Sequence, residues 1–238
     1  MKVLIIVPAY NEALNIEKTV KNIQKDAKDC DYIVINDGSS DNTQEILEKN
    51  NFNHIKLVNN LGIGGAVQTG YKYAYDNGYD IAIQFDGDGQ HDINYVPNIC
   101  EPLISGKADM CIGTRYLDKS SSEFQSTFMR RLGSNIISIC IRILCGKRIT
   151  DPTSGFRAVN KKIIEKFAKD YPTEYPEPES TVSLLVNGYK VEEVPVSMNE
   201  REGGVSSIRL WKSVDYMLKV VSAIIIDSIS FRRIGGKK

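Results

Sequence analysis

The chain has 238 residues, 42% of them hydrophobic, enough for a substantial core in one large domain or two small ones. Its 30 Lys and Arg balance 30 Asp and Glu, and a net charge of zero excludes a nucleic-acid binder that relies on a general basic field. The five cysteines, at 30, 100, 111, 140 and 145 with no Cys-x-x-Cys pair, read as reduced, partly buried thiols of a cytosolic protein.

The apolar run at the N-terminus is too short for a signal peptide, and Val3 to Val7 predicts a strand covered on both faces. Pro8-Ala9-Tyr10-Asn11-Glu12 breaks it, and Ala13 to Ala27, with Leu14, Ile16, Val20 and Ile23, predicts an amphipathic helix. Tyr32 to Ile35 is a second buried strand, ending in Asn36-Asp37-Gly38-Ser39-Ser40-Asp41. The Ser and Asp residues there can cap a helix from about Thr43 to Lys49. Strands are expected at His54 to Val58, Ile81 to Phe85 and Met110 to Ile112, with a helix from Gly64 to Asn77. This alternation predicts right-handed crossovers and a mainly parallel sheet.

Asp118 to Ser126 is a Ser-rich loop; Phe128 to Leu144 is helical; Asp151 to Phe156 is a structured turn. Helices follow at Lys161 to Lys169 and, after a proline-punctuated stretch from Tyr171 to Glu179, up to Asn187, with a strand near Val191 to Val196. Residues 1–207 form the main domain in this reading. Residues 208–238 form an amphipathic helix and basic tail, with Trp211 and Arg232, Arg233, Lys237 and Lys238 placed for a membrane interface; its charge-free run, Val220 to Ile226, is too short to span a bilayer. Packing of that stripe on its own domain or on a second copy is the alternative.

The fourth strand runs straight into Asp86-Gly87-Asp88-Gly89-Gln90-His91. An Asp-Gly turn alone is common and solvated, but acids beyond a strand's carboxyl end face the ligand crevice of an open α/β sheet. Two carboxylates at i, i+2 suit a divalent cation carrying phosphates. Gly62-Ile63-Gly64-Gly65 offers a competing dinucleotide fingerprint, with Asp86 about 20 residues on. Val67 stands in its third glycine's place, which favours close helix packing and leaves an NAD-type oxidoreductase as the weaker reading.

Four strand-end motifs, Pro8 to Glu12, Asp37 to Thr43, Asp86 to Asp88 and Gly113-Thr114-Arg115-Tyr116, occur in this order. Asp151-Pro152-Thr153-Ser154-Gly155-Phe156-Arg157 and Arg201-Glu202-Gly203-Gly204-Val205-Ser206 follow. Together they resemble the inverting glycosyltransferases of family 2, with the GT-A fold, and most closely the dolichol-phosphate or polyprenyl-phosphate mannose/glucose synthase branch. The resemblance implies a Rossmann-like, mainly parallel sheet flanked by helices and transfer of a hexose from a UDP- or GDP-linked sugar. By the same resemblance Asp37 recognises the base, with Pro8, Tyr10, Glu12 and Gly62 about the nucleoside. Asp86 and Asp88, with Gln90, hold Mg²⁺ or Mn²⁺ against the diphosphate.

Two acceptors remain open. A lipid phosphate is already an anion and needs cations, for which the resemblance offers Arg115, Arg131 and Arg201; a glycan hydroxyl needs a general base, for which Glu177, Glu179 and Asp151 are candidates. Ser207 replaces the lysine common after the Arg-x-x-Gly-x-Ser motif. Membrane contact at the inner face then falls to the C-terminal helix, a second subunit or a small membrane-protein partner. A nucleotide-sugar-binding module without turnover is the rival class. His54 reads as structural and His91 as a neighbour of the metal loop.

Overall fold

Val3–Ala9 (β1) is apolar along its length because both faces are covered: Leu4 and Ile6 enter the core on one side of the sheet, Ile5 and Val7 the core on the other. The computed structural model describes residues 1–117, 128–197 and 219–226, with backbone alone at 128–130. The further strands are β2 (Asp31–Asn36), β3 (His54–Lys56), β4 (Ile81–Gln84), β5 (Met110–Thr114), β6 (Arg157–Asn160) and β7 (Val191–Pro195). Their order in the sheet is β3-β2-β1-β4-β6-β5-β7, and every pairing is parallel except those of β6, which lies antiparallel between β4 and β5.

Three helices, α1 (Ile16–Asp26), α2 (Thr43–Lys49) and α4 (Val96–Ile104), supply Ile16, Val20, Leu47 and Ile99 to one core. On the other face lie α3 (Gly62–Asp76), α5 (Phe128–Cys145), α6 (Lys161–Lys169) and α7 (Pro176–Val186), contributing Tyr71, Ile137, Phe167 and Val182. Helix α3 can lie directly on β1 because Gly70 has no side chain; a Cβ there would collide with Ile6.

Several boundaries differ from the sequence expectation for local reasons. Helix α1 begins at Ile16, not Ala13, because Asn11 takes a left-handed φ of 56° and the Glu12 carbonyl accepts the N–H groups of Asn15 and Ile16. Strand β3 stops at Lys56, and Val58 is 94% exposed. Helix α4 went unread, its apolar run broken by Pro97 and Pro102. Strand β6 did too, since the expected turn passes into four strand residues.

Of the C-terminal segment only a helix at 219–226 (α8) is described. Its Val220 and Ile224 are fully buried in the core on the α3, α5, α6 and α7 side of the sheet, while Ile225 and Ile226 are exposed. A fully buried side chain of this kind is worth about 1.5–3 kcal/mol, so these eight residues are tied to the main domain. Trp211 and the basic tail lie outside the described residues. Among the described residues no helix is long and apolar enough to cross a membrane.

Candidate active site

The chain runs outward from β1 to β2 and β3, then returns to β4 on the other side of β1. That reversal opens a crevice at the carboxyl ends of β1 and β4. Pro8, Asp37 and Asp86 all sit there, at or just after the ends of β1, β2 and β4. The 86–88 loop abuts the end of β1 closely: a Cβ at Gly87 would stand 3.1 Å from the Pro8 carbonyl.

On the β1/β2 side two loops are laced together. Asn11 Oδ1 accepts from Ser40 N at 2.8 Å, Ser39 Oγ from Asn11 N at 3.0 Å, and Thr43 Oγ1 from Glu12 N at 2.9 Å. Asp41, one residue before the N-cap position Asn42 of α2, accepts from Thr43 N at 2.9 Å and from Ala13 N at 3.1 Å, so it ties the helix start to the β1 loop rather than filling the cap the sequence suggested. Burial raises its carboxyl, but these bonds hold it below the usual range. Glu12 Oε2 accepts from Asn15 Nδ2 at 2.9 Å, so this side chain also braces the start of α1. Tyr10 is half exposed at the rim. Asp37 is buried, and its Oδ1 accepts from Leu61 N at 2.7 Å, while Oδ2 takes no hydrogen bond from the described residues. Gly62 has a φ of +78° and nothing near a built Cβ, so it serves backbone conformation. The close packing expected of this stretch falls on Gly64, whose Cβ would stand 2.5 Å from the Pro172 carbonyl.

In the β4 loop, Asp86 Oδ2 meets His91 Nε2 at 3.1 Å, and the buried imidazole stacks on Phe156 and meets the Phe85 ring edge-on. Burial works to raise the Asp86 carboxyl, but His91, with Gln84 and Arg157, brings it below the usual carboxylate range. Its side chain keeps 35% exposure, and Gly155 packs so close that a Cβ there would strike both carboxylate oxygens. Asp88 Oδ1 accepts from Gln90 N at 3.0 Å. The donor set here is carboxylate and amide oxygen, the chemistry of a hard cation. Asp86 and Asp88, with the Gln90 amide, would fit such a cation; among the described residues no three His, Cys, Asp or Glu side chains form a metal cage. His54 is structural, held between Phe52 O and Gln44.

Across the crevice, Arg115 follows β5 and grips Asp151 in a two-toothed ion pair, Nε to Oδ2 at 2.7 Å and Nη2 to Oδ1 at 2.8 Å. Asp151, expected as one candidate base, is wholly buried with both oxygens engaged by Arg115. Arg115 and Arg131 both stand over the Tyr116 ring, at 5.3 and 5.6 Å, so the two arginines expected together are brought together. Glu179 folds back, accepting from Tyr175 N at 3.1 Å at the start of α7. Glu177 is only half buried but accepts from Gln84 Nε2 at 3.3 Å; burial, with Asp86 adding and Arg157 opposing, pushes its carboxyl up. Arg201 lies outside the described residues.

Two residues to which the sequence reading gave no role anchor this side. Arg157, 1% exposed, donates to the carbonyls of Pro152, Ser154 and Glu177 at 2.6–2.7 Å, tying the 152–154 turn to α7. Glu193 on β7 accepts from the Thr150–Asp151 backbone. Arg157 closes the motif that begins at Asp151, but nothing local shows that it reaches α7, and Glu193 acts on a turn distant in the chain.

The architecture is that of a GT-A sugar transferase. The crystal structure of glucosyl-3-phosphoglycerate synthase from Mycobacterium tuberculosis in complex with Mn²⁺, UDP-glucose and phosphoglyceric acid superposes with a TM-score of 0.68, at 16% identity, covering 95% of this chain and 79% of that one. The model of glycosyl transferase family 2 matches residues 4–167, and the chain belongs to that family. It is 31% identical over 214 residues to the UDP-N-acetylglucosamine–dolichyl-phosphate N-acetylglucosaminyltransferase of Methanococcus voltae, covering 82% of this chain and 84% of the relative. It is 27% identical over 228 residues to the polyprenol monophosphomannose synthase of Mycolicibacterium smegmatis, covering 92% and 85%. Family membership sets aside the dinucleotide-dependent oxidoreductase.

Proposed function

We propose that this enzyme transfers a hexose from a UDP- or GDP-linked sugar to the phosphate of a polyprenyl phosphate, with inversion at the anomeric carbon. The observation that carries it is the pair of guanidinium groups, Arg115 and Arg131, over one Tyr116 ring across the crevice from Asp86. Two arginines suit a phosphate monoester, which accepts several charged hydrogen bonds at once. Both relatives described above carry a polyprenyl-type lipid in their names, which supports the same acceptor.

Asp37, with Oδ2 uncommitted among the described residues, binds the base edge, while Pro8, Tyr10, Glu12 and Gly62 surround the nucleoside. Asp86 and Asp88, beside Gln90, hold Mg²⁺ or Mn²⁺, which when bound offsets charge on the diphosphate. Arg115, Arg131 and Arg201 hold the acceptor anion in line. Its oxygen forms the new bond to the anomeric carbon as that carbon's bond to the diphosphate oxygen breaks, and the electron pair leaves with the nucleoside diphosphate. No proton has to be removed, so no base is required. The enzyme works peripherally on the cytoplasmic face of the membrane, with residues 1–207 catalytic and residues 208–238 adding lipid contact.

A second reading has its own observation: the raised carboxyl of Glu177 beside Gln84 suits a general base for a glycan hydroxyl. Transfer from UDP- and GDP-hexoses to polyprenyl phosphate decides between them. Arg115→Ala would strand the buried Asp151, so the variants are Arg115→Lys, Arg131→Ala, Glu177→Gln and Glu179→Gln. The arginine variants should lose about ten- to a hundredfold, the value of a charged hydrogen bond, and the glutamate variants little. Collapse confined to a glutamate variant would overturn the phosphate acceptor.

A further inference from the structure

We infer that Glu193 is a positioning residue for Arg115, acting through the Thr150–Asp151 turn; this rests on Arg115 as a contact of the acceptor phosphate. Glu193 lies on β7, opposite Ile112 in the parallel pairing with β5, three residues before Arg115. Its Oε1 accepts from Thr150 N at 2.9 Å, Thr150 Oγ1 at 2.9 Å and Asp151 N at 3.0 Å, and its Oε2 accepts from Thr150 N at 2.8 Å. Thr150 Oγ1 also meets Thr114 Oγ1 at 2.9 Å, and Thr114 Oγ1 accepts from Tyr116 N at 3.2 Å. The turn is thereby fixed to both strands that flank the arginine.

The consequence runs through Asp151. Its carboxylate takes the Nε and Nη2 of Arg115, so that guanidinium has one orientation and its Nη1 is the nitrogen left without a hydrogen bond among the described residues. Two parallel bonds specify direction as well as strength. The grip is only as well placed as the backbone carrying Asp151, and the side chain that accepts from that residue's N–H is Glu193. Glu193 forms no ion pair among the described residues; its carboxylate is given over to the turn. A displacement of about 1 Å at a positioned group is enough to cost substantial binding or rate.

The test is calorimetric titration of farnesyl phosphate into the full chain loaded with Mn²⁺ and UDP, with UDP affinity and melting temperature measured alongside. Glu193→Ala should weaken farnesyl phosphate about tenfold, in the range of one charged hydrogen bond, with UDP affinity held within about twofold. Glu193→Gln, which keeps a carbonyl oxygen for the turn, should recover most of the loss, and Glu192→Ala, on the opposite face of β7, should have none. Added to Arg115→Lys, Glu193→Ala should cost little more, since the two act in series. If Arg115→Lys weakens farnesyl phosphate and Glu193→Ala does not, or if Glu193→Ala lowers UDP affinity and melting temperature in step with it, Glu193 is not a positioning residue for the acceptor. Unchanged farnesyl phosphate binding in Arg115→Lys would instead overturn the acceptor reading itself, and this inference with it.

Discussion

The two sides of the crevice are built differently. On the side proposed for the nucleotide each acid is held by groups near it in the chain or at the next strand tip: Asp88 by Gln90, Asp86 by His91, Asp37 by Leu61. On the side proposed for the acceptor the charged groups hold one another over long separations, Arg115 with Asp151 and Glu193 with the turn preceding Pro152. A side assembled from strand tips should tolerate loss of one acid with only local damage. A side assembled as a web should pass a change at one member to the next.

The largest expected effect breaks the comparison if it fails. Asp88→Asn and Asp86→Asn should each lower Mn²⁺-dependent UDP affinity by about a hundredfold or more, since even groups behind a metal's ligands are worth ten- to a hundredfold. Melting temperature should change little for Asp88, whose carboxylate receives the neighbouring Gln90 N–H. Asp37→Ala should weaken UDP with and without metal. Mn²⁺-dependent affinity that survives in both aspartate variants would remove the metal assignment, and a Asp37 effect that vanishes without metal would remove base recognition.

The same contrast explains what the sequence disclosed. Asp37, Asp86 and Arg115 stand within three residues of the ends of apolar runs, so alternation of strand and helix places them at one edge of a sheet before any contact is known. Nothing local marks Asp151 as the partner of Arg115 rather than a base, because the pair spans 36 residues. Arg157 reads as the ordinary polar end of a turn, yet it is the largest fully buried side chain among those described. The antiparallel β6 that carries it is four residues long and has no alternation to detect.

A smaller effect sharpens the acceptor side by asking how a lipid reaches it. Leu132, Ile136, Ile139 and Ile143 are exposed at helical spacing along one face of α5. The sequence from Phe128 to Ile149 holds Arg130, Arg131, Arg142, Lys147 and Arg148 and no acid. Together with the basic C-terminal tail, this face is expected to bring the enzyme reversibly to anionic vesicles. Each basic residue near such a surface contributes about 1 kcal/mol, so flotation at low salt should be lost as salt rises. Ile139→Asp/Ile143→Asp should weaken flotation while leaving Mn²⁺–UDP affinity unchanged. A chain that stays soluble with anionic vesicles at low salt removes the membrane contact and favours a second copy over these isoleucines.

The smallest expected effect concerns Glu177, the acid where the two sides meet. Its carboxyl accepts from Gln84 at the end of β4, its backbone carbonyl accepts from Arg157, and its carboxyl is pushed up by burial with Asp86 adding. A carboxyl raised in the folded state stabilises the fold fully only while it is protonated in both states. As pH rises past the ordinary value of 4.5, the unfolded chain releases its proton first, and stability is lost until the folded carboxyl has also ionised. Glutamine has no proton to lose and keeps an oxygen for Gln84. The difference in melting temperature, Glu177→Gln minus wild type, should therefore grow as pH rises above 4.5 and then level off. Measured without metal, that difference isolates Glu177, because the other titrating groups are common to both chains. A flat difference would mean that solvent reaches Glu177 well enough to erase its shift, and would take with it the main support for Glu177 as a base. Growth of the difference with pH, together with full sugar transfer to polyprenyl phosphate by Glu177→Gln, would place this acid as a strained neighbour of the nucleotide side and not as a participant in the transfer.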